Sequence, residues 1–279
     1  SWGMYPGLSH GAMNTIALHG THDQKETYLT KLVSGEWTGT MCLTESHCGS
    51  DLGILKTKAE ANADGSYAIT GSKIFISAGE HDMSGNIVHI VLARLPGAPE
   101  GTKGISLFMV PKLIPDNLGN PGVANSLKVV SLEHKLGLHG SPTAVMQYES
   151  ALGWIVGEPN QGMASMFTMM NNARLGVGGQ GIAVAEAAYQ KALSFSMERV
   201  QGQTLGRGKT IIGHADVRRM LAEMKADVFA ARAIGAACAF AIDMGNATAS
   251  ENWISQAAFL TPIAKAFGTD IGIEVSQTG

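Results

Sequence analysis

The sequence predicts an α+β protein in three parts: a helical N-terminal part, an antiparallel β barrel or sandwich in the middle, and a C-terminal helical bundle. Two changes of apolar period carry this reading. Residues 1–38 repeat with helical spacing, and residues 39–157 form short alternating runs cut by Gly, Pro and Asn. Residues 158–279 return to long Ala- and Met-rich helical stretches. No helical run interrupts the middle part, so a βαβ sheet is not expected.

In the first part, SHGAMNTIALHG ends on Gly20, and Thr21 followed by Gln24 has capping-box spacing. Tyr28, Leu29, Leu32 and Val33 make the apolar stripe of the next helix, and Gly35 is its stop. In the middle part, Asp64–Gly65 and Thr70–Gly71–Ser72 have the chemistry of tight turns and divide AEANADGSYAITGSKIFISAG into three strands. NIVHIVLARL, GISLFMVPK, SLKVVSLEH and PTAVMQYES supply further strands. The last part holds two long helices, from MASMFTMM and from HADVRRML, and a third predicted to open at Thr261–Pro262, a cap followed by proline. Small residues along these helices suit close antiparallel packing.

The net charge of −3 and pI near 6.3 exclude partners recognised by broad positive charge, so neither nucleic acid nor an anionic membrane is expected. The cysteines Cys42, Cys48 and Cys238 are odd in number and lack paired spacing, which points to a reducing cytoplasm. The most apolar stretch, residues 233–242 between Arg232 and Asp243, is shorter than the about 20 residues that span a bilayer, so a soluble protein is expected. The first residue is Ser and the C-terminal DIGIEVSQTG has no cap, the reading expected of a fragment.

The densest chemistry lies at 41–51, MCLTESHCGSD. Cys42, His47 and Cys48 lack the spacing that brings two thiolates to one tetrahedral ion, so no metal site is expected. GVGGQG at 176–181 fits a dinucleotide loop, with Glu198 near the place of a ribose-binding acid, but helix-forming MFTMMNNARL precedes it where a strand is required. Close helix contact is the preferred reading of those glycines. No G–x–S–x–G elbow or Walker loop occurs. Thr44 and Ser50 hydroxyls and the Gly49 N–H suit a grip on a planar cofactor, with Phe75 and Ser77 two apart on one strand face. Turn closure by Thr44 and Ser50, with Phe75 in a core, accounts for the same spacing equally well.

MCLTESHCGSD with KTKAEANADGSYAITGSKIFISAG closely resembles the flavin-binding signature of the acyl-CoA dehydrogenase family. EHKLGLHGSPT, IVGEPNQGM, NNARLGVGGQ, MERVQG and HADVRRMLAEM extend the resemblance over most of the chain, which looks most like the larger bacterial members, including those acting on 3-methylthiopropionyl-CoA. The family fold is a helical domain, a β domain and a helical bundle, and the resemblance implies a piece lacking both termini.

The resemblance implies FAD as cofactor, with Met41, Leu43, Thr44, Gly49 and Ser50 lining the isoalloxazine and Phe75 walling it. Ser77 would hydrogen-bond toward its reactive nitrogen, and Arg199 would reach FAD phosphates of a neighbouring subunit. Ser50, Asn171 and Arg174 would lie by the acyl-CoA thioester. The implied reaction is α,β-dehydrogenation to the trans-2-enoyl-CoA with electrons passed to an electron-transfer flavoprotein, in a cytoplasmic homodimer or homotetramer. The usual base, a Glu in a Y–E–G–T segment, would fall beyond residue 279, and Ala173 stands at the alternative position. Glu45 and Asp51 would fix the loop. Departures are Gln201–Gly202 for Phe–Gly and Ala215 for a glutamine. The rival readings are an acyl-CoA oxidase using oxygen and a non-catalytic flavin- or CoA-binding protein.

Overall fold

A computed structural model describes residues 4–204 and 206–279, in two compact units, Ser1–Met170 and Asn171–Gly279. The first unit opens with α1 (Met4–His19) and α2 (His22–Gln24), which runs through a π turn at Lys25–Leu29 into α3 (Thr30–Ser34). The expected capping box forms: Gln24 N donates to Thr21 Oγ1 at 3.3 Å and Thr21 N to Gln24 Oε1 at 3.1 Å. Gly35 ends α3 at φ +80°. The expected stripe is corrected at Val33, which is exposed, whereas Tyr28 and Leu32 are buried. The π turn widens the helix and rotates the residues after it about the axis.

The strands are β1 (Trp37–Cys42), β2 (Lys58–Ala61), β3 (Tyr67–Ser77), β4 (Asn86–Arg94), β5 (Ile105–Pro111), β6 (Leu113–Pro115), β7 (Pro121–Ala124), β8 (Leu127–Leu132) and β9 (Thr143–Ile155). Pairings β4–β2–β3–β9–β5 return to β4 and close a barrel, β1 adds beside β4, and β8 pairs with β9. Most pairs are antiparallel, but β1 and β2 run parallel to β4. The stretch between β1 and β4 is long enough to carry the chain back for a parallel pairing.

Asp64–Gly65 forms the expected turn between β2 and β3, with Gly65 at φ +84°. The break expected at Thr70–Gly71–Ser72 does not occur, since β3 runs through it. A Cβ on Gly71 would lie 2.4 Å from Thr57 Oγ1, so glycine serves close approach there and not a turn.

Strands β4 and β5 are buried on both faces. Val88, Ile90, Leu92, Ile105, Leu107 and Met109 meet Ala12 and Ile16 of α1 and Met166 and Met169 of α4 (Gly162–Glu198). The alternate residues Val91, Ala93, Phe108 and Val110 fill the barrel with Ile69, Ile76, Met146 and Tyr148. Period-2 geometry thus assigns each strand to two cores at once.

In the second unit α4 continues, followed by α5 (Ala215–Thr248) and α6 (Glu251–Thr278). The start expected at Thr261–Pro262 is corrected: Ser250 is the N-cap residue and Pro262 lies inside α6. Thr261 Oγ1 donates to Ala257 O at 2.7 Å, so Thr261 bonds back into the helix and does not cap it. By length and composition α5 is apolar enough to cross a membrane, a longer stretch than the sequence reading allowed. Leu221, Met224, Val228 and Ala231 of α5 nevertheless pack with Ala185 of α4 and Ile271 and Val275 of α6, as a bundle core does.

GVGGQG lies wholly inside α4 and makes no nucleotide loop. A Cβ on Gly181 would lie 2.2 Å from Gly268 O, and one on Gly268 would lie 2.7 Å from Gly178 O. Backbone meets backbone, as small-residue helix contacts permit. A Cβ on Gly179 would meet nothing within 4 Å. Gly181→Ala is therefore expected to destabilise the chain by about 1–3 kcal/mol, the clash outweighing the gain in helix propensity. Gly179→Ala should stabilise it by roughly 0.5–1 kcal/mol. Denaturant titration of both variants checks the pair of opposite signs.

Candidate functional site

The loop after β1 is fastened to β3 by one buried carboxylate. Glu45 Oε1 accepts from Thr57 Oγ1 at 2.6 Å, Thr57 N at 3.0 Å and Lys73 Nζ at 2.8 Å, and Oε2 accepts from Lys56 N at 2.8 Å. Glu45 and Cys48 exchange backbone bonds at 2.8 and 3.1 Å, which makes a tight turn of 45–48. Lys73 is fully buried, and its Nζ also donates to Leu43 O at 3.0 Å. Desolvation raises the Glu45 carboxyl, but Lys73, Thr57 and Lys56 together outweigh it and hold the group below the usual carboxylate range. Desolvation also lowers the Lys73 ammonium, against the pull of Glu45.

The strand behind the loop is bent at a β-bulge. The β3–β9 register shifts between Lys73 and Ile76, and Phe75 takes φ +60°. An aromatic residue in left-handed backbone is an uncommon, strained choice that surrounding contacts must hold. The bulge turns Lys73 and Ile76 inward and leaves the Phe75 side chain 59% exposed, with Ser77 half-buried. Ile74 N donates to Thr44 O at 2.9 Å, so the hydroxyl-bearing loop lies directly against the aromatic strand.

Thr44 and Gly49 thus lie against the stretch of β3 that carries Phe75, with Ser77 two residues further on. A Cβ on Gly49 would come 3.2 Å from Thr44 Cγ2, so glycine keeps the loop close to Thr44. Ser50 is exposed at the turn, and Asp51 Oδ1 accepts from Gly53 N at 3.0 Å. Leu43 is buried in the first core and Met41 packs partly against it, so Leu43 offers the neighbourhood its main chain. Hydroxyl, backbone and a presented aromatic face fit a planar ring system with hydrogen-bonding edges.

Three further expected residues belong to the second unit. Arg174 Nη1 donates to Asn171 Oδ1 at 3.2 Å along α4, and the exposed Arg199, just past α4, donates from Nη2 to Gln201 Oε1 at 3.4 Å. Arg199 O accepts from Ile211 N at 2.8 Å, which pins the segment after α4.

Glu45, His47 and Cys48 place ligand atoms within 4.8 Å of one another. The buried ammonium 2.8 Å from the same carboxylate opposes a second cation there. Cys42, Cys48 and Cys238 are all free and buried.

Sequence reasoning missed Lys73, since a lysine in a strand reads as a solvent-facing residue. It also missed a polar network inside the barrel: Thr40 Oγ1 lies 2.8 Å from His89 Nδ1 and 3.3 Å from Cys42 Sγ, and Tyr148 OH donates to that sulfur at 3.4 Å. Burial pushes His89 down to about 3, so it is neutral at physiological pH. No local signal could have found this network, because the register of β1 against β4 is what sets Thr40 opposite His89.

Glu45→Gln leaves the Lys73 charge buried without its counter-ion and is expected to cost about 3–5 kcal/mol near neutral pH. The depressed Glu45 group stabilises the fold fully above its unfolded value, about 4.3, and that stability is lost as pH falls through the lower folded value. Melting curves against pH should therefore show an acid limb that is shallower in Glu45→Gln.

Two family models match the chain: acyl-CoA dehydrogenase, middle domain, over residues 40–151, and acyl-CoA dehydrogenase, C-terminal domain, over residues 160–278. A similar curated protein is the 3-methylmercaptopropionyl-CoA dehydrogenase of Ruegeria pomeroyi, 48% identical over 100% of this chain and 49% of its own length. Among solved structures, butyryl-CoA dehydrogenase from Megasphaera elsdenii matches at TM-score 0.77 and 27% identity, covering 97% of this chain and 63% of that one. A chain solved in work on the electron transferring flavoprotein of Acidaminococcus fermentans matches at TM-score 0.76 and 26% identity, over 95% of this chain and 63% of that one. The chain spans about half the length of these curated relatives. With both domain models matched in order, the chain belongs to the acyl-CoA dehydrogenase family of FAD-dependent oxidoreductases.

Proposed function

We propose that the protein carrying this chain oxidises an acyl-CoA thioester to its trans-2-enoyl-CoA, with 3-methylthiopropionyl-CoA the first substrate to test. The observation that carries the reading is the junction of Thr44 with the strained, exposed Phe75 through the Ile74–Thr44 bond. The substrate suggestion rests on the relative 48% identical over the whole chain. An electron-transfer flavoprotein is the proposed acceptor and the cytoplasm the proposed compartment.

In this reading Phe75 lies against one face of the flavin, while Thr44, Gly49 and Ser50 meet its edge with a hydroxyl, an N–H and a second hydroxyl. Met41 closes the apolar side, Leu43 contributes its main chain, and Ser77 donates toward the ring. When bound, FAD supplies the acceptor for the β-hydrogen of a thioester whose α-proton a base removes. Ser50, Asn171 and Arg174 are the residues proposed to bind the acyl-CoA. The exposed Arg199 reaches the FAD phosphates of a second copy, which makes the protein a homodimer or homotetramer. Glu45 is committed to Lys73, Thr57 and Lys56 and serves the loop, so the base is a different carboxylate.

The purified protein should show a flavin absorbance band that bleaches on anaerobic addition of 3-methylthiopropionyl-CoA or short-chain acyl-CoA thioesters; no flavin band after reconstitution with FAD would reject the reading. Slow reoxidation in air separates a dehydrogenase from an oxidase. Phe75→Gly relieves the left-handed backbone and removes the wall, so it should melt no lower than the parent while binding FAD about tenfold more weakly. Thermal melts and flavin titration check the two halves independently.

A further inference from the structure

We infer that Lys73 is a positioning residue for the flavin, acting through the loop and the strand that flank the ring; this rests on the flavin reading above. Lys73 Nζ donates to Leu43 O and to Glu45 Oε1, on either side of Thr44, while the adjacent Ile74 N donates to Thr44 O. Three consecutive loop residues are thereby tied to two consecutive residues of β3. The next residue in β3 is Phe75, in the left-handed region at the bulge. A single buried ammonium thus sets the separation between the hydroxyl edge and the aromatic wall.

Stability alone does not explain an ion pair at this place. Exchange of a buried pair for apolar side chains of similar volume is often neutral or stabilising, so a lysine with no solvent exposure points to a geometric task. The ammonium turns the Leu43 carbonyl inward, which fixes the peptide entering Thr44. An apolar side chain fills the same space and leaves that carbonyl without its donor. The same exchange removes a positive and a negative charge from the loop and strand proposed to flank the ring, and fixed charges near a bound cofactor tune its electronics.

The test compares the parent with Lys73→Met/Glu45→Leu, by melting temperature, FAD dissociation constant and midpoint potential of the bound flavin. The expected result is a folded double variant whose FAD binding is about tenfold or more weaker, in line with losses from disrupted outer-shell partners, and whose midpoint potential is shifted. A folded double variant with parental affinity and potential overturns the inference. Should that variant not fold, Lys73→Met/Glu45→Gln removes the donor to Leu43 O without leaving an unpaired buried charge. Weakened binding and a shifted potential in it support the inference, and parental values overturn it. A parent that binds no FAD rejects the flavin reading as well, whereas parental binding with unaffected variants rejects only the role of Lys73.

Discussion

The buried pair of Glu45 and Lys73 is the constraint on which the rest of this site depends. One carboxylate gathers the loop at 56–57, the turn at 45–48 and strand β3, elements adjacent in space but separated along the chain. Such a pair is a poor source of net stability, because desolvation of both ions offsets their attraction. Its contribution is specificity: any other register of the loop against β3 leaves an ion in an apolar interior without its partner. The bulge at Phe75 then has a fixed neighbour on one side, which lets a strained aromatic persist.

The architecture makes this arrangement rigid. Strands β4 and β5 separate two apolar cores, and the parallel addition of β1 beside β4 brings the chain to the point where the loop begins. Strand β1 is paired with β4 along its whole length, so the loop departs from a fixed base. In the second unit, glycine contacts between α4 and α6 set helix spacing by main-chain atoms.

The order of helices, sheet and bundle was legible because apolar period reports burial directly. The capping box at Thr21 and the stop at Gly35 were legible for the same local reason. What was not legible depends on distant partners. Gly71 resembles a turn glycine until Thr57 is seen packed on it, and Thr261–Pro262 resembles a helix start until Ser250 is seen to cap α6. At the loop, the approach of Thr44 to the strand carrying Phe75 was readable through the motif. Lys73 was hidden, since nothing local in KIFIS distinguishes a buried lysine from an exposed one, and the buried partners of His89 come from separate strands.

The double-sided burial of β4 and β5 bears on how this chain emerges and survives in the cell. A nascent barrel completed before α1 and α4 dock presents the row Val88, Ile90 and Leu92 to water as a continuous greasy surface, the kind that chaperones hold and that seeds precipitation. A piece trimmed to the sheet alone would inherit that surface permanently, so the smallest manageable piece of the first unit must keep both flanking helical segments.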